Sequence, residues 1–294
     1  MPDKTSLRLI SWNINGIRAT LRKNTWNDIK ALNPDIFSIQ EIKATNDFME
    51  GKDSKIPGYT MNYEYATMKK GYSGVATYTK DEVFNTANHS DNELFYTASS
   101  ESNNPLFEVT SVVKGIGEEE FDQEGRLLTH LIESRDSSIK LAYINGYYPQ
   151  GGRGPHRVEY KIEFYKKVHA LCEQYRAQGY SVILCGDFNT TVGDIDLARP
   201  KENRNVTGCL PEERDALDLF LKGAYIDTFR HFYPDTADVY SYWDQITRAR
   251  ERNVGWRIDY YIVSEDLIDK VQDAFIWMDI MGSDHCPVGI DIQI

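Results

Sequence analysis

Gly282-Ser283-Asp284-His285-Cys286-Pro287-Val288-Gly289-Ile290-Asp291-Ile292, close to the C-terminus, joins a polar loop to an alternating tail. The alternation of apolar and polar residues after Pro287 predicts a strand. Asp284 and His285 therefore sit on the loop that enters a terminal strand, and loops held by a rigid sheet are where catalytic groups concentrate. A carboxylate beside an imidazole suits a metal site, or a general base with its orienting partner. The same dipeptide is also ordinary surface loop, so its meaning depends on what the rest of the chain supplies.

Working outward, the chain supplies several more polar groups at strand ends. The apolar segment 257–263 carries Asp259 among hydrophobic neighbours. Residues 181–185 form a short apolar strand that runs into Gly186-Asp187-Phe188-Asn189, with Asp187 and Asn189 on one face. Residues 138–148 predict a strand leading into Pro149-Gln150-Gly151-Gly152-Arg153-Gly154, where glycines permit close backbone approach and Arg153 is a natural phosphate contact. A flexible turn would read the same way. At the other end of the chain, residues 7–12 predict a buried strand ending in Asn13-Ile14-Asn15-Gly16. Those two asparagines suit phosphate or metal-ligand contacts, and equally a satisfied turn. Residues 35–40 predict a strand that ends at Glu41, where an open α/β fold places a ligand and a hard cation wants a carboxylate.

Further strands are predicted at 59 onward, 75–78 and 126–133, and helices over 24–32, 155–178 and 211–221. Segments 227–232 and 240–243 read as strand or loop, and 85–106 as a polar excursion. Val158, Ile162, Tyr165, Val168, Leu171, Cys172 and Tyr175 keep helical spacing and read as core. The 294 residues, 41% hydrophobic, suffice for a large core, and no Pro/Gly/Ser-rich linker divides them, so one domain over 1–294 is expected.

No apolar run is long enough to cross a bilayer, and Met1-Pro2-Asp3-Lys4-Thr5-Ser6 has no signal-peptide core, which predicts a soluble intracellular protein without a membrane partner. The four cysteines are far apart without C-x-x-C spacing, and three of them read as small core residues, which argues against a disulfide framework or a structural zinc site. A net charge of −12 is the wrong sign for a phosphate-binding partner. Basic residues nonetheless cluster: Arg153, Arg157, Lys161, Lys166 and Lys167 in one run, Arg199, Lys201 and Arg204 in a second, Arg248, Arg250, Arg252 and Arg257 in a third. They read either as solvated surface or as loops around a carboxylate site that needs a divalent cation before phosphate can approach.

Asn13, Glu41, Asp187, Asn189, Asp259, Asp284 and His285 thus recur at strand ends along the whole chain. Hard oxygen ligands, an imidazole and amides, without a nucleophile elbow, suit metal-assisted attack of water on a phosphoester. W-N-I-N-G-I-R-A at 12–19, Q-E-I-K at 40–43, G-Y-Y-P at 146–149, G-R-G at 152–154, G-D-F-N at 186–189, N-V-G-W-R-I-D-Y at 253–260 and G-S-D-H-C-P at 282–287 resemble the exonuclease III family of apurinic/apyrimidinic (AP) endonucleases, within the endonuclease/exonuclease/phosphatase superfamily.

The resemblance implies a DNase I-like fold, a four-layer α/β sandwich of two packed mixed β-sheets flanked by helices, with a loop insertion around 85–106. It implies cleavage 5′ to abasic sites in duplex DNA, with 3′-exonuclease or 3′-phosphodiesterase activity on blocked ends, Mg2+ as cofactor with Mn2+ as a substitute, and action as a monomer. It implies a cytoplasmic, nucleoid location in a bacterium and a nuclear one in a eukaryote. By the same resemblance Glu41 is the principal metal ligand with Asn13 and Asp284 near it, and Asp187, Asn189 and His285 complete the metal-proximal set. Asp187 aligns or deprotonates the water, Asn189 holds the phosphate, His285 stabilises the transition state, Asp259 orients His285, and Tyr147 stands close to the scissile phosphate. Tyr242, Trp256 and Ile258 line the pocket for an extruded abasic sugar, with core packing as the other reading, while Arg153 and Asn203 contact DNA phosphate. Gln150 stands where many relatives have Asn. Two other readings remain open: a phosphatase or RNA deadenylase of the superfamily, and a non-catalytic nucleic-acid-binding scaffold.

Overall fold

The computed structural model describes residues 6–23, 25–86 and 105–294. Among the described residues the alternating segments form β1 (Ser6–Asn13), β2 (Ile36–Gln40), β3 (Tyr59–Glu64), β4 (Val75–Lys80), β5 (Phe84–Thr86), β6 (Phe107–Lys114), β7 (Leu127–Ser134), β8 (Lys140–Tyr147), β9 (Ser181–Asp187), β10 (Tyr225–Asp227), β11 (Asp259–Ser264), β12 (Val271–Ile276) and β13 (Val288–Gln293). Six make one mixed sheet in the order β12-β13-β1-β2-β4-β3, and seven make another in the order β10-β11-β9-β8-β7-β6-β5.

Period-two alternation sorts the side chains into layers. In β1, Leu7 and Leu9 share a core with Tyr143, Ile183 and Tyr261 of the other sheet. Ile10 and Trp12, on the opposite face, pack with Ile17, Trp26 and Ile29 of the helices Ile17–Arg22 and Trp26–Leu32. In β8, Leu141 and Tyr143 belong to the inter-sheet core, while Ala142 and Ile144 pack with Phe164, Val168 and Cys172 of the helix Pro155–Ala177. The helix Pro211–Leu221 adds Ala216, Leu217 and Phe220 to that outer core. The order helix, sheet, sheet, helix is the expected four-layer sandwich.

The tail that enters from Asp284 and His285 is β13, paired antiparallel with β1 so that Leu9 faces Ile290. Beside it, β1 and β2 run parallel with Asn13 level with Gln40; in the other sheet β8 and β9 run parallel with Tyr147 level with Asp187. These parallel pairs end side by side, since Asn13 Nδ2 lies 2.8 Å from Asp187 Oδ2 across the two sheets. Carboxyl ends of parallel strands are where α/β sheets leave room for a ligand. A buried polar seam leads there. Ser38 Oγ lies 2.8 Å from Tyr143 OH, and Gln40 Nε2 donates to Asn145 Oδ1 at 2.8 Å.

Several local expectations change. The helix expected over 24–32 begins at Trp26, and a separate helix, Ile17–Arg22, precedes it. β6 and β12 occupy segments where no strand was expected. Segment 227–232 divides between the end of β10 and the helix Thr228–Phe232, whose Asp227 cap accepts the Arg230 N–H. Segment 240–243 makes isolated bridges, Tyr242 to Trp256 and Tyr242 to His285. Of the 85–106 excursion, 85–86 belong to β5 and 87–104 lie outside the described residues. Two of the basic runs are not wholly solvated. Lys161 and Arg257 are both fully buried, each against carboxylates. All four cysteines are buried and free.

Candidate active site

The two parallel strand pairs and the β11 and β13 entries converge on a cleft of about 560 Å³. Of the candidate residues, Glu41, Tyr147, Asp187, Asn189, Asn203, Tyr242, Trp256, Ile258, Asp284 and His285 line it. Asn13 and Asp259 stand behind that lining and brace it. Arg153 faces a smaller adjoining cavity of about 250 Å³ with Lys43, Arg126 and Arg157.

β11 and β9 pair with Asp259 opposite Asp187, which puts two buried carboxylates side by side. His285 lies between them in space. Its Nδ1 donates to Asp259 Oδ2 at 2.8 Å, and its Nε2 is 3.9 Å from Asp187 Oδ2. Burial opposes a charge on the ring, but Asp259, followed by Asp187 and Asp284, outweighs it and holds His285 protonated well above the ordinary histidine range. For Asp187 burial is the largest influence and pushes the carboxyl up. His285 pulls the other way, and Asp259 and Glu41 add to the rise.

Asn13 Nδ2 donates to Asp187 Oδ2 at 2.8 Å and to Glu41 Oε1 at 3.0 Å, spacing the two carboxylates, while its Oδ1 accepts the Asn15 N–H at 3.0 Å. The Asn189 N–H donates to Asp187 Oδ1 at 2.8 Å, and its amide donates to the Tyr148 oxygen at 2.9 Å. Asp187 is thereby fixed at both oxygens. Burial also works against the Glu41 charge, but the Lys43 ammonium at 2.6 Å holds its carboxyl below the usual range. Ligand atoms of Glu41, Asp187 and His285 lie within 4.8 Å of one another, and with the imidazole protonated the two carboxylates are the members of that group free to take a metal ion. Asp284 is held by both oxygens to Asn15 Nδ2 at 3.0 Å.

Asn15 and Lys43 line the cleft as well, Asn15 as the second asparagine of the 13–16 turn and Lys43 outside the residues that the resemblance names. Lys43 Nζ bridges Asn15 Oδ1 and Glu41, so the two form one network with Asp284. The signal was in the sequence: Asn15 repeats Asn13 at i+2, and Lys43 closes the Q-E-I-K stretch. Their backbones are left-handed, with φ +48° at Asn15 and +47° at Lys43, so neither follows simple strand alternation. Tyr147 packs its ring under the Arg126 guanidinium, 4.6 Å from the ring centre, and burial, then the Glu41 charge, raises its phenol well above the ordinary value. The Tyr242 ring lies 4.8 Å from that of His285. Trp256 exchanges backbone hydrogen bonds with Tyr242, both at 2.9 Å, which joins the two walls of the cleft.

The Endonuclease/Exonuclease/phosphatase family model matches residues 10–285, which spans the site from the β1 end to His285. The chain is 38% identical to an exodeoxyribonuclease of Bacillus subtilis over 98% of this chain and 100% of that protein. It is 33% identical to the DNA repair nuclease APEX1 of Danio rerio over 98% of this chain and 83% of that protein. The fold matches the crystal structure of an AP endonuclease from Leishmania major with a TM-score of 0.84 at 27% identity, covering 100% of this chain and 90% of that one. The chain belongs to the endonuclease/exonuclease/phosphatase family, in its exonuclease III-like AP endonuclease branch.

Proposed function

We propose that this protein is a divalent-metal-dependent AP endonuclease and 3′-exonuclease that, as a monomer, hydrolyses the phosphodiester 5′ to an abasic site in duplex DNA and leaves a 3′-hydroxyl. The observation that carries this reading is the apposition of His285, backed by Asp259 at 2.8 Å, to Asp187 in a cleft that Trp256 and Ile258 also wall.

Asp187, buried and raised toward neutrality, is the group that takes a proton from the attacking water. The Asn13 amide and the Asn189 N–H hold its carboxylate so that one face stays open to the cleft. Protonated His285 gives an Nε2–H to a phosphate oxygen as negative charge builds in the pentacovalent transition state. Asp259 keeps that ring charged and oriented. Glu41, with Asp284 and Asn13 nearby, would hold Mg2+, or Mn2+ in its place. The carboxylate oxygens of Glu41 and Asp187, within 4.8 Å of one another, are donors of the kind a hard cation takes. Bound there, the ion would supply positive charge to the reacting phosphate. Tyr242, Trp256 and Ile258 form a wall that accepts a sugar without a base, and Arg153 and Asn203 flank it for the strand's phosphates.

The test is duplex DNA carrying one abasic site, incubated with Mg2+ or Mn2+, beside an inositol polyphosphate in a phosphate-release assay. Nicking that leaves a polymerase-extendable 3′ end is expected. Phosphate release without nicking would overturn the proposal in favour of a phosphatase.

A further inference from the structure

Lys161 on the helix Pro155–Ala177 and Glu213 on the helix Pro211–Leu221 are both fully buried. Lys161 Nζ donates to Glu213 Oε1 at 2.8 Å and to the Asn189 main-chain oxygen at 2.7 Å. Glu213 accepts in turn from Thr207 Oγ1 at 2.6 Å, from the Leu210 N–H at 3.3 Å, and from the Gly208 N–H. Thr207 Oγ1 also takes the Gly151 N–H at 3.2 Å. One ion pair therefore ties three loops that border the cleft: the glycine turn after β8, the Asn189 turn after β9, and the 206–210 loop.

Two helices could be held together by apolar side chains at lower desolvation cost. Apolar side chains cannot satisfy three loop donors and a loop carbonyl, and that is what this pair does. The loop it holds is wedged between two site residues. Gly208 has φ +93°, and a Cβ there would stand 3.1 Å from the Asn189 oxygen and 3.1 Å from Trp256 Cζ3. The placement of Gly208 thus sets the gap between the phosphate-holding turn and the sugar-pocket wall.

We propose that the Lys161–Glu213 pair is a positioning device that fixes the separation of Asn189 and Trp256, and through it the preference for an abasic nucleotide over one that carries a base. The proposal rests on the reading of the cleft as an abasic-site nuclease. It assigns no chemical step to either residue.

The test compares wild type with Lys161→Met, Glu213→Gln, the apolar double variant Lys161→Met/Glu213→Leu, and Gly208→Ala, which moves the loop with the pair intact. Each is measured for abasic-site nicking, for 3′-exonuclease rate on base-paired DNA, and for melting temperature. The single variants and Gly208→Ala are expected to lose roughly tenfold in the ratio of abasic to base-paired cleavage. The double variant leaves no unpaired charge but orphans the Thr207, Gly208 and Leu210 donors and the Asn189 carbonyl, so it is expected to lose the ratio and to stay below the wild-type melting temperature. A double variant or Gly208→Ala protein with the wild-type ratio would overturn the proposal. Failure of the underlying reading shows separately, as no abasic nicking by wild type.

Discussion

Replacing Asp259 with asparagine keeps the size of the side chain and removes its charge from behind His285. In the native protein the contact is a charge-assisted hydrogen bond of 2.8 Å between two buried groups. Such a bond contributes about 1.5–3 kcal/mol, against about 0.5–1.5 for a neutral one. The asparagine oxygen can still accept the ring N–H, so the loss is the difference, about 1–2 kcal/mol. At about 1.36 kcal/mol per tenfold in rate, that is a fall of roughly 5- to 30-fold in kcat/KM on abasic duplex DNA near neutral pH. The pH profile adds a sign. Asp259 raises the His285 pKa, so the protonated form survives through the neutral range and is lost only as pH rises through that raised value. Without the charge the ring loses its proton at lower pH, so the deficit of Asp259→Asn should widen as pH rises. Single-turnover cleavage at several pH values, with melting temperature as a folding control, reads both. A well-folded variant within about twofold of wild type across the range would refute a protonated His285 as the phosphate partner.

Three other perturbations follow from the same geometry. Glu41→Gln should weaken Mn2+ binding, measured by calorimetry, by about tenfold or more, and unchanged affinity would remove Glu41 from the ligand set. Asp196 Oδ1 accepts from the fully buried Arg257 at 2.7 Å and from Arg230 at 2.6 Å. Asp196→Asn should cost about 3 kcal/mol by calorimetric unfolding, the low end for a broken buried pair, because Asp227 still faces Arg257 at 2.8 Å. His130 in β7 is buried with Nε2 3.1 Å from Asn62 Oδ1, and burial pushes its pKa down to about 3. The unfolded chain takes up that proton below about pH 6.5 and the folded protein does not, so His130 lowers stability by about 1.4 kcal/mol per pH unit as pH falls through that window. His130→Leu should flatten the urea-measured stability curve between about pH 6 and pH 4 relative to wild type, and an equal slope would contradict a neutral buried ring.

The site was legible where a hydrophobic run stops at a polar residue. Glu41 after β2, Asp187 at the end of β9 and Asp259 at the start of β11 all announce themselves in this way. The β13 tail was legible for the same reason, since one alternating strand set against a polar loop admits few readings. Charge was less legible. Lys161 sits in a run of cations and reads as solvent-exposed, yet its helix turns it toward Glu213, 52 residues away. Arg257 lies between Trp256 and Ile258 and faces Asp196, 61 residues back. Both pairings depend on contacts that no local window contains. β12 was missed because V-Q-D-A-F-I follows a turn of helix and lies at a sheet edge, where polar residues are tolerated and the alternation weakens.

The backbone around the site shows why its geometry precedes any ligand. Asn15, Glu41, Lys43 and Asn189 all have φ between +47° and +53°. Residues other than glycine enter this region at a cost of order 1–3 kcal/mol each when the surroundings impose it. The surroundings here are hydrogen bonds. Ile42 N–H reaches the Gly74 oxygen at 3.1 Å, Lys43 N–H the Ser73 oxygen at 2.9 Å, Asn15 N–H the Asn13 side chain at 3.0 Å, and Asn189 N–H the Asp187 carboxylate at 2.8 Å. Gly74 is required for the first of these, because a Cβ there would lie 2.5 Å from Ile42 Cγ1. The carboxylates of Glu41 and Asp187 are therefore aimed by strand ends and turns that belong to both sheets. An arriving cation or phosphate meets donors and acceptors already fixed in place, and the electrostatic stabilisation they offer does not wait on rearrangement at the moment of reaction.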